Sequence, residues 1–105
     1  MKLRRVVVTG LGALTPLGNT APEYWSGLVN GVSGAGPITH FDTSKFKTKF
    51  PCELKNFDPA NFYDRKEVRK FDPFTLYGMV CADEAVKDSG INTANVDGDR
   101  IGVIW

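Results

Sequence analysis

The chain begins with an apolar run, Val6-Val7-Val8, that has no polar residue inside it. Three β-branched residues in succession suit a strand covered on both faces, as in the middle of a parallel sheet. The run gives way to Thr9, Gly10 and Gly12, and then to Thr15, Pro16 and Gly18. Arg5 to Gly18 therefore predicts a central strand running into a tightly packed, non-helical turn. Its glycines stand where a backbone takes positive φ or approaches another segment closely. Asn19-Thr20-Ala21-Pro22-Glu23 follows with the signals of a helix start. Thr20 can cap, Pro22 fits the first turn, and Glu23 sits where it completes a capping box. Tyr24, Trp25, Leu28 and Val29 share one face of that helix, and Asn30-Gly31 ends it.

Beyond the glycine-rich connector at Gly31, Gly34, Gly36 and Pro37 the period changes. From Ser44, Lys45, Lys47 and Lys49 alternate with Phe46, Thr48 and Phe50, which predicts an extended strand with lysines on one side. Pro51 confines it to an edge or a hairpin end. Leu54 and Phe57 resume the apolar pattern, and Asp58-Pro59 starts a short turn or helix. The densest charge cluster comes next, D-R-K-E-V-R-K-F-D. A helix over 64–71 would gather Arg65, Lys66, Arg69 and Lys70 within an arc of about 140° and turn Val68 and Phe71 inward. Asp72-Pro73 breaks that helix and starts another, which runs from Pro73 to about Ser89 and stops at Gly90. Gly78, Cys81, Ala82 and Ala85 form a stripe of small residues on it, open to close approach by another backbone. With Phe74, Tyr77, Met79, Val80 and Val86 spread around the rest, this helix is expected to be buried on most sides. A polar loop over 92–99 leads to Arg100–Trp105, a second buried strand. Strand, helices and strand make a crossover unit, so the fold class is α/β with parallel pairing.

Composition narrows the function. A chain of 105 residues holds one small domain and not two, and two strands with their crossover leave sheet edges open, so residues 1–105 are expected to be incomplete as a domain. A net charge of +1 gives no global field towards nucleic acid or a membrane surface. The start M-K-L-R-R-V-V-V mimics the head of a signal peptide, but Gly10, Gly12 and Pro16 break its apolar run, and nothing approaches membrane-spanning length. The expectation is a cytoplasmic protein.

Candidate chemistry is sparse. Gly10 and Gly12 begin a dinucleotide fingerprint, yet Thr15-Pro16 occupies its third position and delays the helix to about Pro22. Two cysteines and one histidine cannot build a zinc site, so no metal is expected. His40 has no serine–histidine–acid or cysteine–histidine pattern around it and reads as structural. Cys52 lacks a following helix and Cys81 lies in mid-helix, so neither is placed as a nucleophile.

Several blocks together resemble a known family. V-V-V-T-G-L-G-A-L-T-P-L-G-N, G-V-S-G, I-T-H-F-D-T-S, R-K-E-V-R-K-F-D-P-F, A-V-K-D-S-G-I and R-I-G-V are similar to the N-terminal portion of the β-ketoacyl-acyl-carrier-protein synthases, of the synthase II type. The resemblance implies the N-terminal part of a thiolase-like fold, layered α/β/α/β/α in the complete enzyme. It implies a homodimer that elongates fatty acyl chains by decarboxylative Claisen condensation. The substrates ride on the phosphopantetheine of an acyl carrier protein, and no other cofactor is called for. The family's nucleophilic cysteine, lysine and two histidines come after the second strand. No catalytic residue is therefore assigned in this chain, which alone is expected to be inactive. By motif match, Lys66, Arg69 and Lys70 would meet the acidic carrier, with Arg65 as helper. Alternative readings are the N-terminus of a polyketide ketosynthase and a non-catalytic interaction module with a basic helix. A nucleic-acid module would need a broader basic surface or stacking aromatics beside it.

Overall fold

Capping chemistry sets where the helices lie. A computed structural model describes residues 1–105. Helix α1 spans Ala21–Val29 behind Thr20, whose hydroxyl accepts from Glu23 N at 3.3 Å. Glu23 Oε2 accepts in return from Asn19 N at 2.7 Å, one residue ahead of the cap. A 3₁₀ turn at Pro59–Asn61 is capped by Asp58, and another at Gly98–Arg100 by Asp97. Helix α2 spans Arg65–Val68, and α3 runs over Pro73–Ser89. Gly90 closes α3 in the left-handed conformation at φ 69°, where a side chain would be strained.

Helix α2 is a single turn, shorter than the predicted 64–71. Asp64 makes no side-chain cap, and Asp72 is already extended (φ −67°, ψ 153°) ahead of Pro73. So short a segment gains too few hydrogen bonds to offset the cost of nucleating more helix. Arg69 and Lys70 continue as a turn.

The predicted strands do not form. The only β pairing is an isolated bridge between Thr15 and Gly18. A strand persists only as one side of a ladder, and β-branched residues cannot supply the missing side. Val6–Val8 and Ile101–Trp105 find no ladder partner, do not pair with each other, and leave Val6 90% and Ile104 99% exposed. Instead of a strand from Ser44, the chain makes a turn at 43–46, closed by Phe46 N on Thr43 O, and 48–50 run without a ladder. Lys49 and Pro51 carbonyls accept from Ile38 N (3.3 Å) and Gly36 N (3.0 Å), as at a hairpin end. Pro51 has no N–H to return the bond, so the contact does not grow into a ladder.

What gathers the chain is α3. Its small stripe admits other segments to near-contact, as its composition predicts. A Cβ on Gly12 would collide with the Cys81 carbonyl, and one on Gly10 with the Ala85 carbonyl. Farther towards the helix start, the Trp105 indole lies over Gly78. The covering is partial, however. Leu76 and Val80 are the only buried large side chains, while Phe74 and Val86 stay exposed. Helix α3 therefore has one covered stripe instead of burial on most sides. On α1, Trp25, Leu28 and Val29 are exposed too, and the buried contact is Gly27 against Leu17. The radius of gyration is 17.8 Å, against about 13 Å for a compact chain of this length.

So little core cannot support an all-or-none transition. Residues 1–105 alone should unfold over a broad temperature range and bind a hydrophobic dye before heating. A sharp, concentration-independent thermal transition of a monomer would contradict this.

Candidate functional site

The basic segment is held through the residues just before it. Phe57 stacks on Phe62 with ring centroids 5.7 Å apart and meets Tyr77 of α3 edge-on at 5.5 Å. Asp58 accepts from Ala60 N at 2.9 Å and fixes the 3₁₀ turn between these aromatics. Tyr63, the residue ahead of the α2 cap, donates its hydroxyl to the carboxylate of Asp83 on α3. Burial, then the hydrogen bond and charge of Asp83, push the Tyr63 phenol up to about 12. The segment 57–63 is thus fastened to α3 by apolar contact and by a charge-assisted hydrogen bond.

From that anchorage Arg65, Lys66, Arg69 and Lys70 all emerge exposed. None has a carboxylate within 4 Å; the only such acid–base contact in the chain is His40 with Glu53 at 3.8 Å. Glu67 lies among the four without pairing to any of them. Four unpaired cations in six residues form a surface that an acidic partner can approach without first breaking internal salt bridges. Val68 is half-buried, as predicted, but Phe71 is 42% exposed. The helix ends before it could carry Phe71 round to the inner face.

A second constellation was not foreseen. Glu84 Oε2 accepts from Ala13 N and Glu84 Oε1 from Ala21 N, both at 2.8 Å. One turn on, Asp88 accepts from Leu11 N at 3.0 Å. Two carboxylates of α3 thus hold the N-terminal segment and the first turn of α1. The signal available in the sequence was the pairing of alternate glycines at 10 and 12 with acids four apart at 84 and 88. The same bonds dispose of the nucleotide reading. The amides a phosphate would need are taken by carboxylates, which would also repel it. The T-P-L-G turn closes by reciprocal bonds between Thr15 and Gly18 (2.9 and 3.1 Å), as expected for a tight non-helical turn.

Both cysteines are free thiols. Cys81 is partly buried, and burial, then the Glu84 charge, push its thiol up despite an opposing bond from the Leu14 amide. A thiol so placed is held away from the nucleophilic thiolate. Cys52 is an exposed free cysteine. The His40 ring is largely exposed, and its neighbour Glu53 is held below the usual carboxylate range chiefly by hydrogen bonds from Thr39. No cluster of three or more histidine, cysteine or acidic side chains could hold a metal, and no helix is long and apolar enough to cross a membrane. The glycine-rich connector is tied down by Lys55 Nζ on Gly34 O at 3.2 Å.

Comparison with known proteins places this arrangement. A family model described as the N-terminal domain of β-ketoacyl synthases matches residues 3–105. The 3-oxoacyl-[acyl-carrier-protein] synthase 2 of Synechocystis sp. is 43% identical over 104 residues, covering 99% of this chain and 25% of that protein. The synthase 2 of Coxiella burnetii is 45% identical over 103 residues, covering 98% and 25%. The chain thus spans about a quarter of the length of the curated relatives it matches. Among solved structures, the ishigamide ketosynthase/chain length factor superposes with a TM-score of 0.78 at 35% identity, over 89% of this chain and 23% of that one. AntDE:AntF, a type II polyketide synthase acyl-carrier protein in complex with its ketosynthase, gives 0.63 at 27% identity, over 87% and 23%. The chain is arranged as the N-terminal part of a ketosynthase fold.

Two outcomes follow from the site. The raised Tyr63 phenol predicts that its bond to Asp83 contributes stability fully present below the ordinary tyrosine pKa of about 10. That contribution is lost as pH rises through about 12. Phenolate absorbance should show a late-titrating tyrosine near pH 12, and Asp83→Asn should move that transition to lower pH. Glu84→Gln should expose the Ala13 and Ala21 amides to faster hydrogen exchange, because a carboxamide offers one acceptor oxygen where two are used. A charge-assisted bond contributes about 1.5 to 3 kcal/mol. Unchanged exchange at both amides would remove Glu84 from this role.

Proposed function

The chain belongs to the β-ketoacyl synthase family, and on that footing we propose that the protein is an acyltransferase of the 3-oxoacyl-acyl-carrier-protein synthase II type. The carrying observation is identity above 40% to synthases of that type along nearly all of residues 1–105. In the proposed reaction an acyl group moves from its carrier thioester to a cysteine thiol. Malonyl-carrier-protein then loses carbon dioxide, and the resulting carbanion attacks the acyl-enzyme carbonyl. A carbon–carbon bond forms, the carbon–sulfur bond to cysteine breaks, and the thiol is regenerated. Residues outside this chain supply the cysteine and the groups that polarise the carbonyls. The phosphopantetheine arm delivers both substrates, and the condensation itself calls for no metal or nucleotide. We place the complete enzyme in the cytoplasm as a homodimer with the layered thiolase-like architecture.

The part played by residues 1–105 is scaffold and carrier docking. Lys66, Arg69 and Lys70, with Arg65 beside them, present the unpaired positive surface described above, which suits an acidic carrier protein. A structural neighbour in which an acyl-carrier protein is in complex with its ketosynthase, AntDE:AntF, supports a carrier as the kind of partner. Such a surface raises the association rate and selects acidic partners more than it adds affinity. Polyketide ketosynthases remain the second reading, favoured by the two structural neighbours.

Reversal of Lys66, Arg69 and Lys70 to glutamate should weaken use of carrier-bound substrate and slow its association. The loss should shrink as salt rises, because exposed charges are screened. An exposed pair contributes only about 0.2 to 1 kcal/mol, so single Lys→Ala changes should cost little beside the triple reversal. Turnover of a small thioester that bypasses the carrier should be retained. Equal losses on both substrates would assign the cluster to the scaffold and overturn the docking role.

A further inference from the structure

The basic turn is attached more weakly than its charge suggests. Helix α2 has four residues, no side-chain cap from Asp64, only Val68 half-buried, and no ion pair. Its C-terminal side is joined to α3 through the short link Arg69–Asp72. On its N-terminal side the last fixed point is the Tyr63 hydroxyl on the Asp83 carboxylate, twenty residues away in sequence and in the body of α3. Tyr63 N also bonds Pro59 O at 3.0 Å, so the phenol ties the 3₁₀ turn and α2 to α3 together. Phe57 and Phe62 pack farther back, and Phe57 reaches Tyr77. They can hold the 57–62 loop, but they do not fix the direction in which the chain leaves it.

We propose that Tyr63 and Asp83 form a positioning pair that aims Arg65, Lys66, Arg69 and Lys70, so that carrier recognition depends on a hydrogen bond made by neither partner's contact surface. The proposal rests on the docking role given to these cations. The aromatic contacts hold residues before Tyr63, whereas the Tyr63 bond acts at the entrance of a single helical turn and so bears on the azimuth of the side chains that follow. Asp83 is itself anionic and committed to Tyr63, so it does not neutralise the cations through a salt bridge. Releasing it would cost twice. The turn would sample more orientations, and a free carboxylate would become available to pair with the cations the carrier needs.

The complete enzyme serves for the test, with carrier-bound and small thioester substrates measured side by side. Tyr63→Phe keeps the ring and its packing and deletes only the hydroxyl. It should raise KM for the carrier-bound substrate by about threefold to tenfold, the population change that loss of one hydrogen bond allows. Turnover number and the small-thioester reaction should hold, and amide exchange over 64–70 should accelerate. Asp83→Asn, which can still accept from the phenol, should retain most of the wild-type KM, whereas Asp83→Ala should raise it, though by less than Tyr63→Phe, because it leaves no free carboxylate beside the cations. The double variant Tyr63→Phe/Asp83→Ala should be no worse than either single change, the mark of one shared interaction. An equal loss on the small thioester would make the pair part of the scaffold and overturn the proposal. Unchanged carrier KM in Tyr63→Phe, with the triple charge reversal still impaired, would overturn it while leaving the docking role intact. If the triple reversal is silent as well, both fall.

Discussion

The structure depends on the fit of an extended backbone along one stripe of α3. Two residues of extended chain advance about 6.6 to 6.8 Å, and four residues of helix rise about 6.0 Å. The near match lets Gly10 and Gly12 meet α3 at successive turns, against Ala85 and Cys81. Alternating with them, Leu11 N and Ala13 N reach Asp88 and Glu84, which are also one turn apart. Either component alone would be insufficient. The glycines permit the approach, and the carboxylates satisfy amides that no ladder satisfies here. Glu84 extends the same arrangement to α1 through Ala21 N, so one acidic side chain sets the relation of the N-terminal segment, α1 and α3.

Helix α3 serves the candidate site through its next residue. Asp83 and Glu84 are adjacent and about 100° apart around the axis. Glu84 faces the N-terminal segment, and Asp83 faces Tyr63. The scaffold and the basic surface therefore hang from neighbouring positions of one helix, by bonds of the same chemical kind. Net charge conceals the arrangement. Residues 45–70 contain eight basic and four acidic side chains, while the rest of the chain contains five and eight. Excess positive charge is accordingly a local property of this segment, and the overall charge of +1 says little about it.

The boundaries of α1 and α3, the α1 cap and the stripe of small residues were determined by the sequence itself, because their causes are local. Thr20 and Glu23 cap α1, Asp72-Pro73 starts α3, Gly90 ends it, and Gly78, Cys81 and Ala85 leave room beside it. The basic cluster was legible for the same reason, since consecutive exposed cations need no distant partner to be recognised. Family membership was legible because many short blocks occur in order along the whole chain. The strands were not decided locally. Val6–Val8 and Ile101–Trp105 have the composition of strands, but a strand is a relation between two segments, and here neither has a ladder partner. The tertiary structure alone decided that Glu84 and Asp88 would be spent on backbone amides at 11, 13 and 21, and that Tyr63 would reach Asp83. Those contacts join residues twenty to seventy-seven positions apart. No periodicity within either segment encodes such a pairing, because the geometry that makes it favourable exists only once the two are packed together.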